Sequence, residues 1–115
     1  LLGMQSISAT PDSAFIARGT PEYMAPEACK GDEVAASDIW GVGISMIEVV
    51  TGKTPWERLG NVNKFIANLG SDETMVPNIP KNLDLDLEDL LVACLRRDPA
   101  MRPTASEALQ FAFFQ

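Results

Sequence analysis

The chain lacks the side chain that most often performs general acid–base catalysis. It contains no histidine, which excludes Ser-His-Asp and Cys-His catalysis and every metal site that includes histidine. Its two cysteines, Cys29 and Cys94, are far apart and form no CxxC pair. We interpret them as reduced, partly buried thiols, and we expect a cytoplasmic protein without a metal or redox site.

Hydroxyl groups that could accept a phosphate are concentrated near the N-terminus. Residues 1–18 show neither helical nor strand periodicity, so we predict a loop there. The candidate phosphoacceptors in this loop are Ser6, Ser8, Thr10 and Ser13. An ordinary solvated loop is one interpretation. The alternative is a regulatory segment whose order changes when a phosphate is added.

Glu27 is a carboxylate whose neighbours indicate a buried partner. Residues 19–27 read GTPEYMAPE, and the two prolines and the glycine impose an extended and turned backbone. Proline is tolerated at the first helical position, so a short helix can span Pro26–Cys29. Glu27 follows the apolar residues Met24 and Ala25, and a carboxylate in such surroundings needs a cation nearby.

Length and charge limit the classes of function. The 115 residues form at most one domain, and 46% hydrophobic with 22% charged residues is typical of a soluble globular protein. The net charge of −7 argues against nucleic acid or an anionic membrane as partner, because both require clustered Lys and Arg. No signal peptide or lipidation motif is visible and residue 1 is not Met, so we expect a piece of a longer protein.

The stretch over residues 35–52 is the element around which the other helices are expected to pack. Between Ile39 and Val50 it is almost entirely apolar, and Glu48 is the only charge in that stretch. A helix that is apolar on every side is surrounded by protein, and this one is shorter than the about 20 residues needed to cross a bilayer. The sequence therefore predicts a buried central helix.

The ends and the two internal glycines of this helix carry further information. Ser37 or Asp38 is a suitable N-cap, and Gly52 stands where a left-handed residue ends a helix. Gly41 and Gly43 lie inside the helix, where each costs roughly 0.5–1 kcal/mol in helix propensity. That cost indicates that another backbone packs closely at these positions.

Three more helices follow, and no stretch shows a convincing strand pattern. Asn61 caps a helix over Val62–Leu69 that Gly70 ends. A third helix runs from about Leu87 to Arg97, and residues 104–107 form a capping box that begins the fourth. We therefore predict a mainly α fold, a helical bundle around the buried central helix without a substantial sheet.

Charges are arranged unevenly along the third helix. Acidic residues crowd its start and basic residues its end: Asp84, Asp86, Glu88 and Asp89, then Arg96 and Arg97. An acidic site for basic substrates is one interpretation. Favourable placement in the field of the helix dipole is the interpretation that we prefer.

Three stretches together resemble the C-terminal lobe of eukaryotic protein kinases. They are GTPEYMAPE at 19–27, SDIWGVGISMIEVVTGKTPW at 37–56 and CLRRDPAMRPTASEAL at 94–109, in the family's order and spacing. The resemblance implies a partial kinase domain over 1–115, with the activation segment and P+1 loop at 1–27 and the helical C-lobe at 28–115. The chain is also similar to mitogen-activated protein kinase kinase kinases.

The resemblance implies roles for the residues that match it. Glu27 should pair with Arg102, the arginine of the DPxxRP turn. Asp38 matches the aspartate that holds the catalytic loop, although a simple helix cap is compatible with the same position. The loop that receives the substrate residue after the phosphoacceptor is matched by Gly19, Thr20 and Pro21. Thr20 is the threonine found in Ser/Thr kinases, which favours Ser/Thr specificity.

The residues that perform phosphoryl transfer in this family are absent from the sequence. There is no Gly-rich loop over ATP, strand lysine, HRD aspartate, catalytic-loop asparagine or DFG aspartate. Gly41 and Gly43 begin like a GxGxxG motif, but Met46 replaces its third glycine. Gly3 stands at a suitable distance to be the DFG glycine, in which case Leu1 would replace the magnesium aspartate. The alternative is a DFG motif upstream of Leu1.

We therefore expect a fragment that is inactive alone, with no metal ligand and no catalytic base. A full-length parent would use ATP and Mg²⁺ to phosphorylate Ser or Thr of protein substrates, in a cascade with upstream and downstream kinases. The alternatives are a pseudokinase-like or truncated scaffold, and a gene fragment without function. Because the catalytic loop is missing, we also expect apolar surface on one face of the central helix, around Ile39 and Val42.

Overall fold

The computed structural model describes residues 21–56 and 60–115. Within these ranges the chain forms helices and turns and contains no strand, which confirms the predicted mainly α fold. The α-helices are α1 (Pro26–Cys29), α2 (Ala35–Thr51), α3 (Val62–Ser71), α4 (Leu85–Cys94) and α5 (Ala105–Ala108). Shorter 3-10 turns lie at Pro21–Tyr23, Pro99–Met101 and Ala112–Phe114. None of these helices has the length and hydrophobicity needed to cross a bilayer.

Helix α2 begins before Ser37 and Asp38, the two residues that the sequence suggested as its N-cap. Its N-cap is Val34, so the prediction that Ser37 or Asp38 occupies this position is wrong. The reason is that Ser37 acts from inside the first turn, where its Oγ accepts the N–H of Val34 at 3.0 Å. Gly52 ends the helix with a φ of 86°, which confirms the predicted left-handed residue.

One face of α2 is buried and another carries exposed valines. Trp40, Ile44 and Ile47 belong to the core. Val42 is 42% exposed and Val49 is 83% exposed. The exposure of Val42 agrees with the expected apolar surface, whereas Ile39 is only half-buried.

Gly43 lies where α2 packs against the C-terminal end of α4. A Cβ atom on Gly43 would lie 2.8 Å from Cδ2 of Leu95 and 3.2 Å from Cβ of Cys94. At Gly41 the nearest atom, the carbonyl oxygen of Tyr23, would lie 3.6 Å away, an ordinary contact. The close approach predicted from the two glycines is therefore made at Gly43, by side chains rather than by another backbone.

Gly70 lies where α1 contacts α3, inside the last turn of α3 rather than after its end. The helix continues to Ser71, so the predicted end at Gly70 is wrong. A Cβ atom on Gly70 would lie 3.1 Å from Cγ of Lys30 and 3.3 Å from Cβ of Cys29. The absence of a side chain at Gly70 thus permits the packing of α1 on α3.

Side-chain caps begin the three later helices. Asn61 Oδ1 accepts the N–H of Lys64 at 2.9 Å, as predicted. Asp84 accepts two N–H groups at the start of α4. The predicted capping box of α5 is also present, with Thr104 Oγ1 accepting the N–H of Glu107 at 3.1 Å and the Glu107 carboxylate accepting the N–H of Thr104 at 2.9 Å.

The C-terminal end of α4 differs from the prediction. The helix ends at Cys94, so Arg96 and Arg97 lie beyond it. Arg97 instead donates to the carbonyl oxygen of Leu69 in the last turn of α3 at 2.8 Å, and to that of Met75 at 2.9 Å. Its charge therefore serves the C-terminal end of α3, where a cation is favourable, and the interpretation that assigned it to the dipole of α4 is wrong.

Candidate functional site

The candidate site is built on Glu27, in the first turn of α1. Glu27 is 7% exposed and Arg102, in the loop after α4, is 5% exposed. Arg102 Nη1 donates to Glu27 Oε2 at 2.7 Å and Nη2 donates to Oε1 at 2.8 Å. Ser37 Oγ, from α2, donates to Glu27 Oε2 at 2.7 Å. Two parallel bonds between a guanidinium and a carboxylate are among the strongest hydrogen-bonded pairs in proteins.

Arg102 also holds three backbone carbonyl groups in two segments of the chain. Its remaining N–H groups donate to the carbonyl oxygens of Arg96, Ala36 and Arg97, at 2.7, 2.9 and 3.1 Å. All five guanidinium donors are therefore used. The guanidinium also lies over the Trp40 ring, 5.2 Å from its centroid, at a distance typical of a cation–π contact. Arg102 thus joins α1, α2 and the loop after α4.

These contacts determine the ionisation of Glu27. Burial by itself would raise the pKa of Glu27, but the hydrogen bonds from Arg102 and Ser37 outweigh burial and hold the pKa below its usual value. The carboxylate is therefore ionised at neutral pH, and both of its oxygens already accept hydrogen bonds from Arg102 or Ser37. Its chemistry is that of a structural anchor rather than of an acid or base.

A second, half-buried contact anchors the segment that precedes α1. The Tyr23 hydroxyl, in the turn Pro21–Tyr23, donates to the Glu48 carboxylate on α2. That hydrogen bond, together with burial and the charges of Glu48 and Glu22, raises the pKa of Tyr23 to about 12. Tyr23 therefore stays protonated at physiological pH and attaches this turn to α2.

The structure describes some of the predicted site residues and not others. Pro21 is half-buried in the turn Pro21–Tyr23. Asp38 is exposed and forms no hydrogen bond or ion pair with the described residues. The predictions that lie outside the described residues concern Leu1–Gly3, Ser6, Ser8, Thr10, Ser13, Gly19 and Thr20.

Two contributors to the site were missed from the sequence. Ser37 was assigned only as a helix cap, yet it also donates to Glu27. The pairing of Glu48 with Tyr23 joins residues that are distant in sequence. The available signal for Glu48 was its position as the only charge in an apolar stretch, because a carboxylate in such a helix needs a donor.

The two cysteines are free and carry neutral thiols. Burial, followed by the nearby charge of Glu27, raises the pKa of Cys29 to about 12. Burial raises the pKa of Cys94 to about 11. Over residues 21–56 and 60–115, no group of three or more Cys, Asp or Glu side chains could hold a metal ion.

Comparison with known proteins identifies the family. A sequence model of the protein kinase domain matches residues 3–114. The chain belongs to the protein kinase domain family. This result confirms the resemblance seen in the three sequence stretches.

The relatives of this kinase-domain chain are mitogen-activated protein kinase kinase kinases. It is 41% identical to mitogen-activated protein kinase kinase kinase 2 of Arabidopsis thaliana over 106 residues, which cover 91% of the chain. It is 40% identical to mitogen-activated protein kinase kinase kinase 4 of Homo sapiens over 99 residues, which cover 83% of the chain. It is 34% identical to mitogen-activated protein kinase kinase kinase A of Dictyostelium discoideum over 97 residues, which cover 84% of the chain. The chain spans only 16%, 6% and 10% of the lengths of these three relatives, respectively.

The kinase family implies ATP and Mg²⁺, and the residues present here do not suit either. The glycine-rich loop, the lysine and the aspartates that hold nucleotide and metal in this family are absent from the sequence. The carboxylate at the centre of the site, Glu27, accepts hydrogen bonds from Arg102 and Ser37 at both of its oxygens. We therefore assign no step of phosphoryl transfer to this chain.

Proposed function

We propose that this chain is the second half of the C-lobe of a Ser/Thr protein kinase. Its full-length parent transfers the γ-phosphoryl group of ATP to a Ser or Thr hydroxyl of a protein substrate and releases ADP. The observation that carries the proposal is the match of residues 3–114 to the protein kinase domain, and the bidentate bonds between Glu27 and Arg102 support it. Residues 1–27 form the activation segment and P+1 loop, and residues 28–115 form the helical C-lobe.

The contribution of this chain to the parent is a rigid platform for the substrate. The P+1 loop is formed by Gly19, Thr20 and Pro21. The structure supports this role because the loop leads directly into two anchored elements, the turn held by Tyr23 on Glu48 and the helix held by Arg102. Fixed supporting contacts of this kind keep a binding loop in its productive geometry. We propose that phosphorylation of Ser6, Ser8, Thr10 or Ser13 regulates the parent kinase.

The exposed face of α2 supports the proposal that the remainder of a kinase domain packs against this chain. Asp38, Val42 and Val49 lie on one face of the helix and are all exposed. Apolar side chains of a central helix are normally covered by protein. We propose that the remainder of the kinase domain covers this face, with Asp38 holding the backbone of the catalytic loop.

ATP, Mg²⁺ and the cascade partners belong to the parent. The nucleotide and the metal would be held by residues outside this chain. The relatives are named as kinases of the mitogen-activated cascade, which supports protein substrates together with upstream and downstream kinases as partners. The free, protonated thiols of Cys29 and Cys94 support a reducing, cytoplasmic location.

Expression of the parent protein, including the residues upstream of Leu1, tests this proposal. With γ-labelled ATP, Mg²⁺ and a protein substrate, we expect label on Ser or Thr and none on Tyr. Thr20→Val should lower kcat/KM by roughly tenfold or more, because it removes a hydroxyl from the substrate loop. The matched control is Thr54→Val, at a half-buried threonine without a hydrogen bond to the described residues. Phosphotyrosine, or a parent that transfers no phosphate, would contradict the proposal, and the second result would favour a scaffold.

A further inference from the structure

The hydroxyl of Ser37 links two helices that are not adjacent in sequence. Of the two serines in α2, Ser37 is buried and Ser45 is exposed. Ser37 Oγ donates to Glu27 Oε2 at 2.7 Å and accepts the N–H of Val34 at 3.0 Å. A hydroxyl has one hydrogen to donate and two lone pairs that accept. The donor of Ser37 is therefore used by α1, and one of its acceptor sites is used by the start of α2.

Two consecutive residues attach the first turn of α2 to the buried ion pair. The carbonyl oxygen of Ala36 accepts Nη1 of Arg102 at 2.9 Å, and the hydroxyl of Ser37 reaches the carboxylate of the same pair. The first N–H groups of a helix have no partner inside the helix, and Ser37 supplies one for Val34. The backbone that leads into the next residue, Asp38, is therefore fixed relative to α1.

The position of α1 in turn affects the segment that precedes it. Two residues separate α1 from the turn Pro21–Tyr23, which continues the proposed substrate loop. Helix α1 has only four residues and no side-chain cap, so its orientation depends on contacts with other elements. Glu27, in its first turn, provides two bonds to Arg102 and one to Ser37. Removing the hydroxyl of Ser37 leaves the ion pair in place but frees α1 from the first turn of α2.

We propose that Ser37 is a positioning residue for phosphoryl transfer by the parent kinase. It fixes α1, and with it the P+1 loop at 19–21, relative to the first turn of α2, where Asp38 holds the catalytic loop. Ser37 acts through Glu27 and not by contact with the substrate. The inference rests on the proposed function, which gives the loop and Asp38 their roles. Such registration matters because a displacement of about 1 Å between reacting groups can cost about 10²-fold in rate.

Steady-state kinetics of the parent protein test this proposal, after the wild type has been shown to phosphorylate a protein substrate. Ser37→Ala should raise the KM for the protein substrate roughly fivefold, because the substrate loop loses a supporting contact. The KM for ATP should change by less than about twofold, because the nucleotide is held by residues outside this chain. A smaller amount of folded enzyme lowers the measured rate but leaves KM unchanged, so a loss of stability alone would not give this result.

Thr51→Val is the matched control, because it removes a hydroxyl from the opposite end of the same helix. The hydroxyl of Thr51 forms hydrogen bonds with Ile47 and Lys53, which are at most four residues away. This variant should leave both KM values within about twofold of the wild type. An unchanged KM for the protein substrate in Ser37→Ala, or an equal rise in Thr51→Val, would overturn the proposal.

Amide hydrogen exchange of the chain provides a second measurement that requires no variant. The N–H of Val34 should exchange at least about tenfold more slowly than that of Glu33, because Ser37 Oγ accepts it. The N–H of Glu33 is the internal reference, since it donates to no acceptor among the described residues. Equal exchange of the two amides would show that the hydroxyl is not held at the start of α2 and would overturn the proposal. This measurement needs no kinase activity, so an inactive parent would contradict only the proposed function.

Discussion

Replacing Glu27 with alanine removes the carboxylate that receives two N–H groups of Arg102 and the hydroxyl of Ser37. The guanidinium of Arg102 then remains buried with no opposite charge. Removing one partner of a buried ion pair costs about 3–5 kcal/mol. Since single domains are stable by only about 5–15 kcal/mol, we expect Glu27→Ala to lose a large fraction of the free energy of unfolding.

Arg102→Ala should be at least as damaging as Glu27→Ala. It leaves Glu27 buried and unpaired, and it also removes donors from the carbonyl oxygens of Ala36, Arg96 and Arg97. The double variant has no unpaired charge from either side. Its loss of stability should therefore be smaller than the sum of the single losses, with a coupling energy of about 2–3 kcal/mol.

Urea unfolding, followed by circular dichroism, measures this coupling for the wild type, both single variants and the double variant. Arg96→Ala is the control, because the Arg96 side chain is exposed and forms no described contact. It should change the free energy of unfolding by less than about 0.5 kcal/mol. Losses that add to within about 0.5 kcal/mol would refute the direct, buried ion pair.

Three further predictions follow from the packing and the pKa values. Gly43→Ala should lower the free energy of unfolding by roughly 1–2 kcal/mol, because the new Cβ would lie 2.8 Å from a leucine side chain. Gly41→Ala should raise it by about 0.5–1 kcal/mol, because the nearest atom to the new Cβ is 3.6 Å away. Equal effects of the two variants in urea unfolding would contradict this prediction. The folded pKa of Glu27 lies below its usual value near 4.5, so its stabilising contribution is present above pH 4.5 and is lost as pH falls through the folded pKa. Urea midpoints between pH 7 and pH 3 should therefore fall more steeply for the wild type than for Glu27→Gln, and parallel slopes would disprove the assignment. Finally, Cys29 and Cys94, with pKa values raised to about 12 and about 11, should react with a thiol reagent at pH 8 far more slowly than in urea, and equal rates would show that the thiols are accessible.

Features determined by neighbours in sequence were the ones that could be predicted. The caps at Asn61 and Thr104 involve residues within one helical turn, and both begin helices as expected. Gly52 likewise reveals the end of α2 because a left-handed residue is a local requirement. The need of Glu27 for a cation was visible in its apolar neighbours, and only the family resemblance indicated Arg102 as the partner.

Features determined by tertiary packing could not be predicted. Gly70 looked like a helix end, but its role is to admit α1, which comes much earlier in the chain. Arg97 looked like a partner of the α4 dipole, but it crosses to the carbonyl oxygens of Leu69 and Met75. The bond between Tyr23 and Glu48 also joins distant segments. In each case the residue type marked the position as unusual, but the sequence did not identify the residues that it contacts.

The central claim is that this chain is a portion of a kinase C-lobe that lacks the residues for nucleotide and metal. Calorimetric titration of the purified chain with ATP, with and without Mg²⁺, tests it most directly. We expect no saturable heat at up to millimolar ATP under either condition. Saturable ATP binding that requires Mg²⁺ would contradict the account, because no group of Cys, Asp or Glu side chains among the described residues could hold the metal ion.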